Sequence, residues 1–238
     1  MTNASELWIP RRRLPDAKAI LMFPAAGGTA AAFSDWRPLA APAFEVLPLK
    51  LPGRGVRLKE TPIASVGELI TSIANVLGPI LPTGYCVFGQ CLGGVLAYEF
   101  TREIAKRFAP PAHLFVSGCG DPRSETKQQL SNLDDASLVE QLRSWGGTPE
   151  LALARRDFLD LLLPPLRIDL QMFERYAFDP QPTIATPVTV FRGADDHHVT
   201  PESLAGWRER TTGAVTIVEL AGGHFIDPAL LMTEIRRA

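Results

Sequence analysis

Gly89-Gln90-Cys91-Leu92-Gly93 is the stretch on which the reading of this chain turns. Ahead of it, Tyr85 to Phe88 has the apolar character of a short buried strand. Behind it, Leu92 to Phe108 reads as a helix closed by Pro110-Pro111. A glycine two positions to either side of a cysteine, between strand and helix, has a physical reason. The turn is sharp, so its neighbours must be small for strand and helix to approach. It lifts the Cys91 side chain clear of the sheet and seats it at a helix N-terminus, where free N–H groups and the helix dipole stabilise negative charge. A free cysteine is often only a small buried hydrophobe, and the pentapeptide alone would not decide against that. The strand before it, the helix after it and the further Gly94 do, and Cys91 is the candidate nucleophile.

Working outward, apolar runs and turn residues alternate. Ala19 to Phe23 reads as a strand ended by Pro24 and Gly27-Gly28, and Phe44 to Leu49 as another. Val66, Leu69, Ile70, Ile73 and Leu77 have helical spacing, stopped by Gly78-Pro79. His113 to Val116, Val188 to Phe191 and Val215 to Leu220 read as strands, and Pro201 to Thr211 and Pro228 to Arg237 as helices. Strands alternating with helices predict an α/β protein with a mostly parallel sheet covered on both faces. From Cys119 to Pro187 there is no convincing strand. Helical patterns run instead over Ala136 to Trp145, Arg155 to Leu163 and Leu166 to Phe178. The expectation is a single domain over residues 1–238, with a helical lid inserted at about 120–187.

Composition bounds the function. The formal net charge of −2 provides no pull toward nucleic acid or an anionic membrane. Arg11 to Arg13 read as a solvated segment. Met1 to Glu6 is polar and lacks a signal-peptide pattern, and no apolar run approaches a membrane span. The odd set Cys86, Cys91 and Cys119 argues against a disulfide framework. A cytoplasmic monomer, with no nucleic-acid or membrane partner, is expected. Cys86 reads as core. Cys119, just past a strand end, reads as loop packing that can also line the site.

The pentapeptide has the form of the nucleophile elbow of α/β-hydrolases, G-x-S-x-G, with cysteine in place of serine. That fold orders its catalytic groups as nucleophile, acid, histidine. Among four histidines, His113 precedes any plausible acid, whereas His224 in Gly222-Gly223-His224-Phe225 follows the last strand. His224 is the candidate base. The acid belongs after the penultimate strand, in Gly193-Ala194-Asp195-Asp196-His197-His198-Val199, where Asp195 and Asp196 compete. Four consecutive residues rarely converge on one ion, so no metal site is expected there. Two backbone N–H groups should form an oxyanion hole, one from Leu92 and one from the loop Pro24 to Gly28.

With these residues in hand, the chain resembles the type II thioesterases of polyketide and nonribosomal peptide biosynthesis over nearly its whole length. The resemblance rests on Phe23-Pro24-Ala25-Ala26-Gly27-Gly28, Leu51-Pro52-Gly53-Arg54-Gly55 and the elbow. It continues through Phe115-Val116-Ser117-Gly118, Leu163-Pro164-Pro165-Leu166-Arg167-Ile168-Asp169, Gly193…Asp196…Val199 and Gly222-Gly223-His224-Phe225. It implies an α/β-hydrolase fold, a triad of Cys91, Asp196 and His224, and oxyanion donors at the N–H groups of Ala26 and Leu92. It also implies acyl groups delivered on the phosphopantetheine arm of an acyl or peptidyl carrier protein, with no cofactor of the enzyme's own. Ala25 departs from the histidine or tyrosine common in the family.

Cysteine for serine is the larger departure. Acyl transfer from a thioester to cysteine is a nearly balanced exchange, and the acyl-enzyme stays activated toward thiols and amines. Three readings stay open: hydrolysis, acyl or aminoacyl transfer or cyclisation through Cys91, and an engineered serine replacement that traps an acyl-enzyme. A carrier-binding module without catalysis would have no need of Asp196 and His224.

Overall fold

The computed structural model describes residues 4–14, 16–123 and 129–238. The polar start at Met1 to Asn3 and positions 124–128 of the expected lid lie outside the described residues.

The elements follow one another as α1 (Ala4–Trp8), β1 (Lys18–Phe23), α2 (Trp36–Ala40), β2 (Phe44–Pro48), α3 (Val66–Leu77), β3 (Cys86–Gln90), α4 (Leu92–Ile104) and β4 (His113–Ser117). Then come α5 (Asp135–Trp145), α6 (Glu150–Leu153), α7 (Arg156–Arg175), β5 (Val188–Gly193), α8 (Pro201–Ala205), β6 (Val215–Leu220) and α9 (Pro228–Ile235). Six strands form one sheet in the order β2-β1-β3-β4-β5-β6. Every pairing is parallel. All strand C-termini therefore point to one edge, and the chain reverses its direction of travel across the sheet between β1 and β3, where such folds place their sites.

Side chains alternate across the strands and feed two cores. Leu21 and Phe23, Val87, Leu114 and Val116, and Val190 face α3 and α4. Ile20 and Met22, Cys86 and Phe88, Phe115 and Phe191 face α2 and α9, joining Trp36, Leu231 and Ile235. Cys86 belongs to this second core, and burial pushes its thiol pKa up to about 11. Ser65 accepts from the Glu68 N–H at 3.5 Å and caps α3, whose buried Val66, Leu69, Ile70, Ile73 and Leu77 keep the helical spacing of the sequence.

Between β4 and β5 the described residues form α5, α6 and α7 and no strand of the sheet. Ile184 makes an isolated bridge to Thr211. These helices have a leucine core of their own, Leu138, Leu142, Leu153, Leu163, Leu166 and Leu170. One expectation needs correcting. The sequence suggests two helices separated at Pro164-Pro165, whereas α7 is a single helix of 20 residues with both prolines inside it. Each proline removes a helix N–H, and an interior proline costs about 3 kcal/mol. Leu163, Leu166 and Leu170, buried on one face of α7, offset that cost and hold the helix together. The helix after β5 is also shorter than expected: α8 ends at Ala205 and Gly206–Glu209 continues as a tighter 3-10 turn.

Candidate active site

Cys91 stands between β3 and α4 with φ +54° and ψ −127°, the one described non-glycine residue at positive φ. Its N–H donates to the Ser117 carbonyl at 2.9 Å, and its carbonyl accepts from the Gly94 N–H at 2.8 Å. The flanking glycines are required by contact. A Cβ on Gly89 would lie 2.1 Å from the Gly93 carbonyl oxygen, and one on Gly93 would lie 2.4 Å from that of Phe23. No side chain fits either position, so the elbow can close only as it does.

His224 follows β6 and is 7% exposed. Its Nδ1 lies 3.0 Å from Asp196 Oδ2, and the other Asp196 oxygen accepts the His198 N–H at 2.8 Å. The Asp196 side chain has no exposed surface. Asp195 is exposed, and its N–H donates to the Gly222 carbonyl at 2.9 Å, lacing the acid loop to the histidine loop. The geometry thus separates the two competing aspartates, with Asp196 against the ring.

Burial alone would lower the His224 pKa. The Cys91 sulfur and the Asp196 carboxylate outweigh it and push the value up to about 10. Burial likewise works against the Asp196 carboxylate, but His224 and the His198 N–H hold it below the ordinary range. His224 Nε2 is buried and makes no well-formed hydrogen bond among the described residues. Cys91 is nonetheless near enough to the imidazole to raise its pKa, and such pairs commonly tighten when substrate binds.

Two cavities meet at Cys91. One of about 280 Å³ includes Leu92, Cys119, Leu170, His198 and His224 in its walls. The other, of about 530 Å³, runs along the Pro24–Gly28 loop past Leu142, Phe158 and Phe225. Ala26, Cys91 and Trp145 line both. Among the described residues, neither the Ala26 nor the Leu92 N–H donates to a protein acceptor. Cys119 packs where a Gly94 Cβ would sit and also faces the smaller cavity. A larger groove of about 690 Å³ lies between α3, α4 and the end of α7, away from Cys91.

The remaining histidines divide by position. His113 sits at the start of β4, at the opposite edge of the sheet, with Nε2 2.8 Å from Thr189 Oγ1. His197 and His198 line the smaller cavity. His198 presents its ring edgewise to His224 at 5.5 Å and reaches the Ser144 carbonyl of α5 at 3.4 Å. No group of three or more metal-binding side chains gathers among the described residues. Sequence reasoning assigned no role to Trp145, which lines both cavities, nor to the buried pair Arg54 and Asp169, 4–5% exposed. The signal for that pair was the presence of charged residues, Arg54 in one family motif and Asp169, with Arg167, in the other.

A six-stranded parallel sheet with a strained cysteine turn at its C-terminal edge, beside a buried histidine and carboxylate, defines an α/β-hydrolase-like protein. The chain belongs to the thioesterase family: the Thioesterase domain model matches residues 18–229. It is 32% identical over 231 residues to the gramicidin S biosynthesis protein GrsT of Aneurinibacillus migulanus, covering 94% of this chain and 90% of that one. Among solved structures it is similar to the RedJ thioesterase from the prodiginine biosynthetic pathway in Streptomyces coelicolor. That match has a TM-score of 0.86 and 34% identity, and covers 97% of each chain. The type II thioesterase BorB from the borrelidin biosynthetic cluster superposes with a TM-score of 0.89 at 30% identity, again over 97% of each. The chain is thus a thioesterase, a hydrolase of thioester bonds. No helix among the described residues is long and apolar enough to cross a membrane.

Proposed function

We propose that this thioesterase is a type II enzyme of polyketide or nonribosomal peptide biosynthesis. It hydrolyses acyl thioesters from the phosphopantetheine arm of an acyl or peptidyl carrier protein in the cytoplasm, with Cys91, His224 and Asp196 as its triad. The observation that carries the reading is the convergence of Ala26, Cys91, Leu92 and His224 on one cavity, with Asp196 against the far side of the imidazole. The biosynthetic setting comes from relatives such as GrsT and BorB.

The chemistry follows from the placement. With the Cys91 thiol proton taken up by His224 Nε2, Cys91 Sγ attacks the thioester carbonyl carbon, and the carbonyl oxygen takes up negative charge beside the N–H groups of Ala26 and Leu92. When the tetrahedral adduct collapses, the bond to the pantetheine sulfur breaks and His224 Nε2 gives that sulfur its proton. Water then enters, His224 accepts a proton from it, and the resulting hydroxide attacks the acyl-enzyme. The second adduct collapses with the acyl bond to Cys91 Sγ broken, the sulfur takes its proton back from His224, and the free acid leaves. Asp196 holds the imidazole with Nε2 toward the reaction and stabilises its positive charge.

Cysteine favours a second reading, acyl transfer to another thiol or amine, because a cysteine acyl-enzyme remains activated. Product analysis with an acyl-loaded carrier separates the two. Free acid is the expected product. Acyl recovered only on a second carrier would replace hydrolysis with transfer. Cys91→Ser distinguishes a trapping substitution, which predicts a much faster serine hydrolase, from native cysteine chemistry. Full activity in Cys91→Ala would sink the covalent mechanism.

A further inference from the structure

The turn that carries the Ala26 N–H is held from outside by the cap. Gly28 N–H donates to the Ala25 carbonyl at 2.9 Å, with Gly27 at φ +70°. In a trans peptide the carbonyl and the following N–H point in opposite directions. Engaging the Ala25 carbonyl inside the turn therefore turns the Ala26 N–H outward, and Ala26 itself lines both cavities. The next peptide is pinned as well: the Gly27 N–H donates to Asp169 Oδ2 at 2.8 Å. Asp169 lies on α7, 142 residues further along the chain.

Asp169 is in turn fixed by Arg54, from the loop after β2. The guanidinium grips both carboxylate oxygens, with Nη2 to Oδ1 at 2.7 Å and Nη1 to the same Oδ2 that accepts Gly27. Two donors on Oδ2 and one on Oδ1 fix both the position and the plane of the carboxylate, as bidentate pairs do. The backbone contact is equally close: a Cβ on Gly27 would lie 3.0 Å from Leu166 Cβ on α7. Neither Asp169 nor Arg54 lines either cavity at Cys91, so neither touches the reacting atoms.

We propose that Asp169, held by Arg54, is a positioning residue that locks the oxyanion turn to the cap helix, so that thioester cleavage requires α7 to be seated. This rests on the reading of Cys91 as nucleophile and Ala26 as an oxyanion donor. It adds a device by which the cap sets the competence of the chemistry and not only the shape of the acyl site.

The test compares a reaction that needs the oxyanion hole with one that does not. Hydrolysis of an acetyl thioester of N-acetylcysteamine passes through a tetrahedral oxyanion. Alkylation of Cys91 by iodoacetamide is a displacement at carbon with no oxyanion, and it reports only the thiol and its histidine. Two variants are informative. Asp169→Asn keeps an oxygen for Gly27 but turns one donor toward Arg54. The double variant Arg54→Met, Asp169→Leu removes both buried charges, a change proteins often tolerate in stability, and leaves the Gly27 N–H without its acceptor. Thermal unfolding verifies that each is folded. A displaced donor is expected to lower kcat for the thioester about 10- to 100-fold, with KM little changed and alkylation at the wild-type rate. Full thioester turnover in the folded double variant would overturn the proposal. So would alkylation falling in parallel with hydrolysis, which would place the effect on the thiol and histidine. Cys91→Ala tests the underlying reading separately: turnover surviving there overturns the nucleophile assignment and this proposal with it. Loss there, with full turnover in both Asp169 variants, overturns the proposal alone.

Discussion

Asp196 reaches the ring of His224, with Oδ2 3.0 Å from Nδ1, while its neighbour Asp195 faces solvent and meets the histidine loop only through its backbone. Adjacent carboxylates of one loop therefore have different surroundings. Asp196→Asn should lower kcat by roughly 10²- to 10⁴-fold, because an amide can hold the imidazole in the wrong tautomer. Asp195→Asn should leave kcat unchanged. Steady-state kinetics on both variants checks the assignment, and the reverse ranking would move the acid to Asp195.

The raised pKa of His224 makes a second prediction. Its value of about 10 depends on Cys91 and Asp196, since burial alone would lower it. In Cys91→Ala the imidazole should titrate well below its wild-type value, as followed by NMR of the ring protons. The linkage has a definite sign. The native state keeps the His224 proton over the window from the unfolded value of about 6.5 up to about 10, so native protein binds more protons and stability falls as pH rises through that window. The stabilising contribution is complete below about 6.5. Denaturant unfolding of wild type and Cys91→Ala across this range should show the steeper loss in wild type. Parallel curves would refute the coupling.

The backbone of Cys91 supplies a third test. At φ +54° and ψ −127° a residue with a Cβ is strained by about 1–3 kcal/mol. Cys91→Gly and Cys91→Ala both remove the thiol and differ in that strain. Glycine ordinarily costs about 0.5–1 kcal/mol relative to alanine in a regular element. Here the order should invert, with Cys91→Gly unfolding at the higher temperature by calorimetry. Alanine as the more stable variant would mean that the elbow is relaxed.

Trp145, at the end of α5, walls both cavities beside Cys91. Trp145→Ala should enlarge both and relax discrimination between short and bulky acyl groups. A change on the order of 10-fold in the ratio of kcat/KM values is expected, the range typical for apolar pocket contacts. A series of acyl thioesters of increasing size measures it. An unchanged ratio would remove Trp145 from the specificity wall.

Much of the fold was legible because its signals are local. Val215 to Leu220 and Val66 to Leu77 match β6 and α3 at both ends, since apolar periodicity and flanking glycine, proline or serine mark them. The helices α2 and α6, with five and four residues, are too short to show a period. The continuity of α7 is invisible because its prolines are local breakers, whereas the leucines that hold it together act through tertiary packing. Site residues divide the same way. Cys91 and His224 stand next to strand ends and could be placed from their neighbours. Spacing alone leaves Asp195 and Asp196 in competition; the family resemblance favours Asp196, and the fold puts Asp196 against the ring. Arg54 and Asp169 are 115 residues apart, and no spacing rule joins them.

The cap carries its own leucine core, distinct from the two cores of the sheet, and Ala26 packs against both the cap core and the sheet core on the α3–α4 side. Separate cores make for separable inheritance. Substitutions among Leu138, Leu142, Leu163 and Leu170 can reshape the acyl-facing wall without loosening the strands that hold Cys91 and His224, because distant, unshared packing adds nearly independently. A lineage of such enzymes can therefore explore new acyl groups in the cap while its sheet stays under older constraints. The alanine at the junction answers to both histories, and variation there should be the slowest of any cap-facing position.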